Sequence, residues 1–447
     1  MSGHSGCQRS RVAHAIALAA ICWSGPSFAA LTPAQMREDL IFLRDQWQPK
    51  NLSFDPTAAR EFQTIVGNAI TNIDRMDEAR FRVTIARATA VGRNAHNGVP
   101  VFNEDIFPRL PIRIWRFPEG LYVTRARGVG LPLLGARITE IDGVPVDVVV
   151  AKIRPFIAGT DQWTKYRSID WLIRPMALKE VGIGNSGDHA SLTYVLPDGK
   201  LGKGRLSVDR SPDPIIDRPM WSQSLEPSGN EGGWHHLLDD RTIPASLKPE
   251  ADITSEWLDP HTLYIRSNNI FSSDSDRFAD KVYPILRNAW EKRPDLAIVD
   301  VRFNHGGDIA QALTLGEGLP KLLSPKGRLI VLSGRSTLSA AIALEALLKT
   351  YGGNRATVIG EEVGDHPRFW SEGGTLTLPN SKIDVQYTVG MWDLEHSCIE
   401  PRCYWFGATF VPPVGSLAPD RTVLWTFHDY ARGIDPVLVE ALKAEQQ

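Results

Sequence analysis

The sequence predicts an α/β protein whose core is a largely parallel β-sheet covered by helices. Two apolar runs, Asp295–Val301 and Arg328–Ser333, are followed by glycines and have the length and β-branched content of fully buried strands. Between the second run and a third, Ala356–Gly360, lies Ser339–Thr350, a stretch of strong helix formers. Buried strands that alternate with helices are typical of a parallel sheet.

Helical and β-rich regions precede this core. Thr32 is placed to cap a helix that starts at Pro33, and apolar residues recur at helical spacing up to Val91. In Ile112–Phe117 and Leu121–Arg125, apolar and polar side chains alternate, which is typical of strands. We therefore expect helices first, then a β-rich region, then the α/β core.

The first thirty residues have the composition of an export signal. Arg9 and Arg11 precede an apolar stretch, Ala15–Cys22, and Ser27–Ala29 offers the small residues that a signal peptidase recognises. The alternative, a membrane anchor, needs roughly 20 apolar residues, more than this stretch provides. We expect a cleaved signal peptide, no membrane span after cleavage, and a periplasmic or secreted protein.

The length and charge of the chain limit its organisation and its partners. The chain is too long for one ordinary domain. We expect a signal peptide (1–30), an N-terminal helical region (31–100), a β-rich domain (101–205), a linker or lid rich in Pro, Asp, Ser and Gly (206–250) and the α/β core (251–447). The net charge is −3 with acidic and basic residues interspersed, which predicts no nucleic-acid partner. The oligomeric state is not predicted.

Cysteines and histidines give no sign of a metal site. Cys398 and Cys403 are the two cysteines that follow the predicted signal, and no zinc-like ligand set surrounds them. In an exported protein these two cysteines are expected to close a small disulfide loop. Trp234–His236 contains paired histidines but no further ligand at a suitable spacing. We predict no metal ion and no cofactor.

Ser339 lies where a loop enters the predicted helix. Serine is a preferred N-cap residue, so a capping role is one hypothesis. The other is a nucleophile near the unpaired N–H groups at the positive end of a helix. The glycine turn Asn304–Gly307 could supply a second N–H, and two such donors form an oxyanion hole. The predicted donors are the N–H of Gly306 or Gly307 and that of Ala340.

Three motifs, in this order, resemble those of the S41 serine peptidases, the family of tail-specific and C-terminal-processing proteases. Val299–Asp308 resembles their Asp-x-Arg-x-Asn-x-Gly-Gly turn, Thr337–Ala341 their Thr-x-Ser-Ala-Ala nucleophile motif, and Thr357–Glu361 their strand ending in Gly-Glu. The resemblance implies a ClpP/crotonase-like core with an N-terminal helical region and an inserted PDZ-like β-rich domain. Leu134–Val146, a strand, an Asp-Gly turn and a second strand, is similar to the central part of a PDZ domain. A plain β-rich module is the alternative.

The resemblance also implies which residues activate the serine. Processing members carry a lysine after the Gly-Glu strand, and here Asp365 and His366 stand near its place, so a Ser–Lys dyad is absent. In tricorn-like members a histidine after the last N-terminal helix is the general base, and His96 falls on that position. His366 is the alternative base. The acid expected to orient the base is Glu400, with Glu395 as second choice.

We therefore predict an exported serine endopeptidase that cleaves peptide or protein substrates through a Ser339 acyl-enzyme with a histidine base. An inactive relative that binds peptides is the first alternative, favoured by the altered residues around His96 and by Ile342, where many tricorn-like members carry Glu. The second alternative is an acyl-transferring or lyase enzyme on a crotonase-like fold. The export signal and the lack of any CoA-directed feature oppose it.

Overall fold

The computed structural model describes residues 30–227, 231–239, 243–248, 251–273 and 276–443. The predicted signal peptide lies outside these residues except for Ala30. The protein is α/β, as predicted, with a seven-stranded sheet, a six-stranded sheet and a two-stranded hairpin among the described residues. No helix in the described ranges is both long and apolar enough to cross a membrane.

The α-helices of the described residues follow one another along the chain. They are α1 (Pro33–Phe42), α2 (Pro56–Thr71), α3 (Glu78–Ala90), α4 (Val146–Ile153), α5 (Asp161–Leu172), α6 (Pro175–Glu180), α7 (Met220–Leu225), α8 (Phe278–Lys292), α9 (Ile309–Gly318), α10 (Ala340–Gly352), α11 (Trp405–Phe410), α12 (Phe427–Ala431) and α13 (Pro436–Lys443).

The strands are interleaved with these helices. They are β1 (Ile112–Phe117), β2 (Gly120–Ala126), β3 (Arg137–Ile141), β4 (Val144–Pro145), β5 (His189–Val195), β6 (Leu201–Ser207), β7 (His235–His236), β8 (Ile253–Trp257), β9 (Thr262–Ser267), β10 (Leu296–Asp300), β11 (Arg328–Ser333), β12 (Ala356–Gly360), β13 (Arg368–Thr377), β14 (Asp384–Asp393) and β15 (Arg421–Thr422).

The N-terminal helices begin where their capping residues predict. Thr32 and Gln35 form a capping box at the start of α1, in which each side chain bonds the other residue's backbone, and Pro33 is the first helical residue. Asp55 caps α2 and Asp77 caps α3. After α3 the chain forms a short 3-10 turn that carries His96. The position of this histidine is therefore tied to the end of a helix.

The seven-stranded sheet is antiparallel, with β1 and β2 at the positions expected from the alternating sequence pattern. Its strand β7 comes from residues 206–250, the segment predicted to be a linker or lid. In that segment Trp221 stacks on Phe303, and Trp234 lies between the guanidinium groups of Arg113 and Arg127 at 4.4 and 4.8 Å. The described residues of the segment are therefore packed into the molecule rather than forming a free linker.

The six-stranded sheet has the order β15-β12-β11-β10-β9-β8 and is parallel except for the antiparallel edge strand β8. The predicted strands are β10, β11 and β12. β10 and β11 are almost fully buried because both faces are covered, and β12 is buried over its last three residues. Ala297 and Val299 face α8, α9 and α10, whereas Leu296 and Ile298 face α13. The carboxyl ends of β10 and β11 therefore lie inside the protein. The loop that leads to Ser339 bonds to the residues that follow β10.

The hairpin formed by β13 and β14 connects the N-terminal helices with the six-stranded sheet region. The Leu52 N–H donates to the Thr388 C=O at 2.8 Å, and the Trp370 N–H donates to the Asn94 side chain at 3.1 Å. Beyond β14 the chain forms a disulfide between Cys398 and Cys403. This hairpin, which the sequence did not predict, brings the segment around His96 to the core.

Candidate active site

Ser339 adopts a backbone conformation that is unusual for any residue other than glycine. Its φ is 57° and its ψ is −127°, and its hydroxyl makes no capping hydrogen bond although the residue occupies the N-cap position of α10. Strained backbone of this kind is concentrated at functional sites. A serine on a sharp strand-to-helix turn is also how α/β-hydrolases expose their nucleophile. The geometry thus favours the nucleophile hypothesis over the cap.

The loop that leads to Ser339 is fixed to the end of β10. The Thr337 hydroxyl donates to the Val301 C=O at 2.9 Å. The Ser336 hydroxyl donates to the Arg302 C=O at 2.6 Å. Both hydroxyls are buried, so these bonds are made in place of bonds to water. The serine therefore stands on a loop with little freedom to move.

The glycine turn packs directly against the serine. The Asn304 side chain accepts the Gly306 N–H at 2.8 Å and donates to the Ser267 hydroxyl at 2.9 Å. Gly306 has φ 98°, and a Cβ on it would lie 2.6 Å from the Cβ of Ser339. A Cβ on Gly307, at φ 141°, would lie 2.4 Å from the backbone carbon of Ile270. Both positions therefore require glycine.

The same turn restricts which backbone amides could stabilise an oxyanion. The Gly306 N–H already donates to the Asn304 side chain, so of the two predicted turn amides that of Gly307 is the more available one. The N–H groups of Gly307 and Ala340 donate to no other group within the described ranges. Ala340 follows Ser339 directly, and Gly307 follows the glycine that packs against Ser339, so these two amides are the better candidates.

His96 is held by ring stacking rather than by hydrogen bonds. Its side chain is 9% exposed, its ring stacks on Phe369 with centroids 5.4 Å apart, and its Nδ1 lies 3.5 Å from Asp365 Oδ2. Neither ring nitrogen forms a hydrogen bond with any described residue, Ser339 included. Catalytic hydrogen bonds are often long without substrate, so this geometry does not exclude a base.

Asp365, rather than Glu400, is the acid that faces His96. The Asp365 side chain is fully buried, and its Oδ1 accepts the His366 N–H at 2.9 Å. The preceding residue, Gly364, donates its N–H to the Thr337 C=O at 2.8 Å. Asp365 is therefore linked to both the nucleophile loop and the histidine.

Glu400 and Glu395 point to other partners. Glu400 is exposed and forms an ion pair with Arg368 at 2.6 Å. Glu395 accepts the Leu417 N–H at 2.9 Å. No hydrogen bond or ion pair among the described residues links either acid to His96, so the structure does not bring the two predicted acids together with the histidine.

Glu372 is a second acidic residue near His96. Burial raises the pKa of Glu372, while the Ser371 hydroxyl and the nearby His96 act in the opposite direction. Its φ of 50° is again unusual for a residue with a side chain. Sequence reasoning gave no role to Glu372 because the hairpin that carries it was not predicted. For Asp365 the sequence did offer a signal of a role at the site, because this residue comes shortly after the strand that ends in Gly-Glu.

Neither of the other histidines near the motifs contacts Ser339. His366 is exposed, and its ring forms no hydrogen bond or ion pair within the described part of the chain. His305 lies between the rings of Trp163 and Tyr166, at centroid distances of 5.8 and 5.2 Å. Burial and the nearby Arg167 lower the pKa of His305 to about 4, so this histidine is neutral near pH 7.

The Asp-x-Arg part of the motif stabilises the sheet end that carries the glycine turn. Arg302 bonds Asp300 and Asp435 through a buried guanidinium, with distances of 2.6 and 2.7 Å. Burial works against its charge, but the two carboxylates outweigh it and hold the pKa of Arg302 well above its usual value. Because Asp435 immediately precedes α13, the pair fixes that helix to the strand end.

The described residues offer no metal site. No group of three or more His, Cys, Asp and Glu side chains within them could hold an ion. Of the paired histidines, His235 is exposed, whereas His236 is buried and contacts the Ser224 C=O and the Tyr430 hydroxyl. Burial lowers the pKa of His236 to about 3.

Comparison with known proteins gives fold-level matches. Neither a protein-family model nor a curated protein sequence matches the chain. The crystal structure of a serine-to-alanine mutant of CPAF matches at 13% identity over 93% of this chain and 97% of that chain, with a TM-score of 0.58. Mature CPAF matches at 14% identity over 93% and 97%, with a TM-score of 0.55. A putative S41 protease from Bacteroides fragilis matches at 12% identity over 76% and 82%, with a TM-score of 0.34. Over most of its length the chain therefore has the fold seen in CPAF.

Proposed function

We propose that the protein is an exported serine endopeptidase that cleaves polypeptides through an acyl-enzyme on Ser339. The single observation that carries the proposal is the environment of this serine. Its hydroxyl is not used for capping, its backbone is strained, and the glycine turn packs against it through Gly306. The amides of Gly307, the next residue of that turn, and of Ala340, the next residue after the serine, donate to no described group. A residue that only capped a helix would need neither a strained backbone nor two amides without a hydrogen-bond acceptor.

In the proposed reaction Ser339 Oγ attacks the scissile carbonyl carbon while His96 accepts the hydroxyl proton. The carbonyl oxygen becomes an oxyanion that the Gly307 and Ala340 amides stabilise. His96 then gives the proton to the leaving amine, and the peptide bond breaks to leave the acyl-enzyme. Water, deprotonated by His96, attacks the ester and regenerates the serine.

Asp365 is the residue we propose to orient His96. It is the carboxylate in contact distance of the imidazole, and its burial strengthens its interaction with an imidazolium. Substrate binding must bring His96 into hydrogen-bond reach of Ser339, because the two are not bonded in the structure described. His366 stays the alternative base, although its exposed ring has no partner to orient it among the described residues.

The family's architecture and export are part of the same proposal. In a PDZ-like domain over 101–205, β3 and β4 would form the central hairpin, and this is supported by the turn at Asp142 and Gly143, both at positive φ. A ClpP/crotonase-like core over 251–447 is supported by the parallel β9–β12 arrangement. Export to the periplasm or outside the cell is supported by the Cys398–Cys403 disulfide.

A catalytically inactive, peptide-binding relative is the second candidate. The observation that favours it is the imidazole of His96, which bonds neither Ser339 nor any other described residue. Such a protein would bind unfolded polypeptides without cleaving them.

Incubation with denatured casein separates the two candidates. We expect new fragments, identified by mass spectrometry, from the mature wild-type chain and none from Ser339→Ala. Binding of casein by both proteins without any fragment would support the inactive relative instead. Fragments produced equally by Ser339→Ala would reject this serine as the nucleophile.

A further inference from the structure

A cavity of about 170 Å³ lies beside the candidate active site. One wall is Gly98–Phe102, the segment that follows His96 closely, and another is α5. Trp163 of α5 lines the cavity, and its ring also meets the ring of His305 edge-on, with centroids 5.8 Å apart. Because Gly306 follows His305, the cavity adjoins the turn that packs against Ser339.

The acids on the cavity wall are already paired. Glu104 contacts Arg174 at 2.7 Å and Arg109 at 3.1 Å. Asp170 contacts the same two arginines at 3.1 and 3.7 Å. Burial disfavours the charge of Asp170, but Arg174, Arg109 and Arg167 outweigh it and lower its pKa to about 2, so it stays ionised.

Arg167 is the remaining cation of the cavity lining. It is partly buried, with its guanidinium 5.8 Å from the centre of the Trp163 ring, and it has no ion pair or hydrogen bond within the described residues. The lining therefore holds three guanidinium groups against two carboxylates. The five N–H donors of Arg167 are left for a group that enters the cavity.

We propose that this cavity is a substrate subsite that binds a carboxylate through Arg167. The guanidinium fork is suited to a carboxylate, which it can bind through two parallel hydrogen bonds. The carboxylate is that of an Asp or Glu side chain or of the peptide's C-terminus. The proposal rests on the peptidase function proposed above, because a substrate subsite presupposes a polypeptide substrate that is bound at Ser339.

Peptide binding to the Ser339→Ala protein tests the subsite without requiring cleavage. A synthetic library of random octapeptides is enriched on the immobilised protein and identified by mass spectrometry. One half of the library ends in a free carboxylate and the other half in an amide, so that terminal and side-chain carboxylates are distinguished. We expect enrichment of carboxylate-bearing peptides, either at one fixed Asp or Glu position or in the free-acid half alone.

Arg167→Gln in the same background should reduce the preference for the selected peptide over its amide analogue by about 10- to 100-fold, the usual effect of a charge-assisted hydrogen bond. Arg167→Lys should keep part of the preference, because it retains the charge but loses the fork. The matched control is Arg87→Gln, an exposed arginine of α3 that also lacks an ion pair within the described ranges. It should leave the preference unchanged.

Three outcomes would overturn the proposal: no enrichment of carboxylates, a preference that survives Arg167→Gln, or an equal loss in Arg87→Gln. If Arg167→Gln does not fold, Arg167→Lys decides. A full preference for the carboxylate peptide in Arg167→Lys would count against binding by the Arg167 guanidinium, and a partial preference would support it. Labelling of Ser339 by a fluorophosphonate is measured separately in the otherwise wild-type chain. Failure of that labelling would reject the peptidase function while the binding result still decides whether Arg167 holds a carboxylate.

Discussion

The two halves of the candidate active site are built in different ways. On the nucleophile side, the loop before Ser339 and the glycine turn are fixed by buried hydrogen bonds to β10. On the base side, His96 stacks on the face of Phe369, and its Nδ1 lies 3.5 Å from Asp365 Oδ2, without a hydrogen bond to any described residue. The proposed nucleophile and its turn are thus preorganised, whereas the position of the proposed base depends on how the hairpin and the N-terminal helices dock.

The largest expected effect is at the base. His96→Ala should lower kcat by about 10³-fold or more with the fold intact, because the remaining activity would come from the oxyanion donors and substrate binding alone. His366→Ala is the matched control. It should keep most of the activity, since the exposed ring of His366 forms no hydrogen bond or ion pair with any described residue. Casein hydrolysis and circular dichroism check both variants.

The opposite pattern, with His366→Ala inactive and His96→Ala active, would place the base in the core. It would also remove the contrast between the two halves of the site.

The glycine turn should be the next most sensitive position. Gly306→Ala adds a Cβ that would lie 2.6 Å from the Cβ of Ser339 and strains a backbone at φ 98°. Displacement of the serine from its amides should lower kcat by about 10²- to 10³-fold, the usual effect of losing an oxyanion donor. Gly353→Ala is the control, because Gly353 also has positive φ but open space around it. Equal activity of the two variants would show that the turn does not position the nucleophile.

The orienting acid should have a smaller effect than the base. Asp365→Asn should lower kcat by about 100-fold, because the buried carboxylate would no longer favour the imidazolium that forms on His96. Asp365→Glu should restore part of this loss, which a purely structural role would not predict. Glu400→Gln should change kcat by less than about twofold, because it breaks only a solvent-exposed ion pair with Arg368. A larger loss in Glu400→Gln than in Asp365→Asn would restore the original triad.

The sequence predicted the strands and the helix around Ser339 much better than the surroundings of His96, for a physical reason. Strands β10, β11 and β12 and helix α10 are local patterns, and the glycine turn follows one of them directly. The contact of His96 with Asp365 joins residues that are distant in sequence. It depends on the hairpin, where Glu372, Gly373 and Gly374 interrupt the alternation that predicts strands.

The segment 206–250 gives a second example. Its many prolines and glycines predicted a linker or lid, but local composition does not reveal that Trp221 and Trp234 pack against distant residues. The α/β class, which local patterns determine, was predicted correctly, whereas the packing of this segment was not.

The last expected effect is on stability rather than on activity. Glu345 of α10 is fully buried, and burial raises its pKa to about 7. The unfolded chain releases this proton near pH 4.5, so between that pH and about 7 the native state binds more protons and its free energy of unfolding falls as pH rises, by up to about 3 kcal/mol. Glu345→Gln should remove this slope in urea unfolding at pH 5 and pH 8. An unchanged slope would show that another group causes it.

Mapping the site of fluorophosphonate labelling tests the central claim, that Ser339 is the nucleophile on a preorganised turn. The mature wild-type chain should be labelled on the peptide that contains Ser339, and Ser339→Ala should carry no label. Ser255→Ala, which removes an exposed hydroxyl on β8, should be labelled like the wild type. An unlabelled wild-type chain, or a label that persists undiminished in Ser339→Ala, would contradict the account.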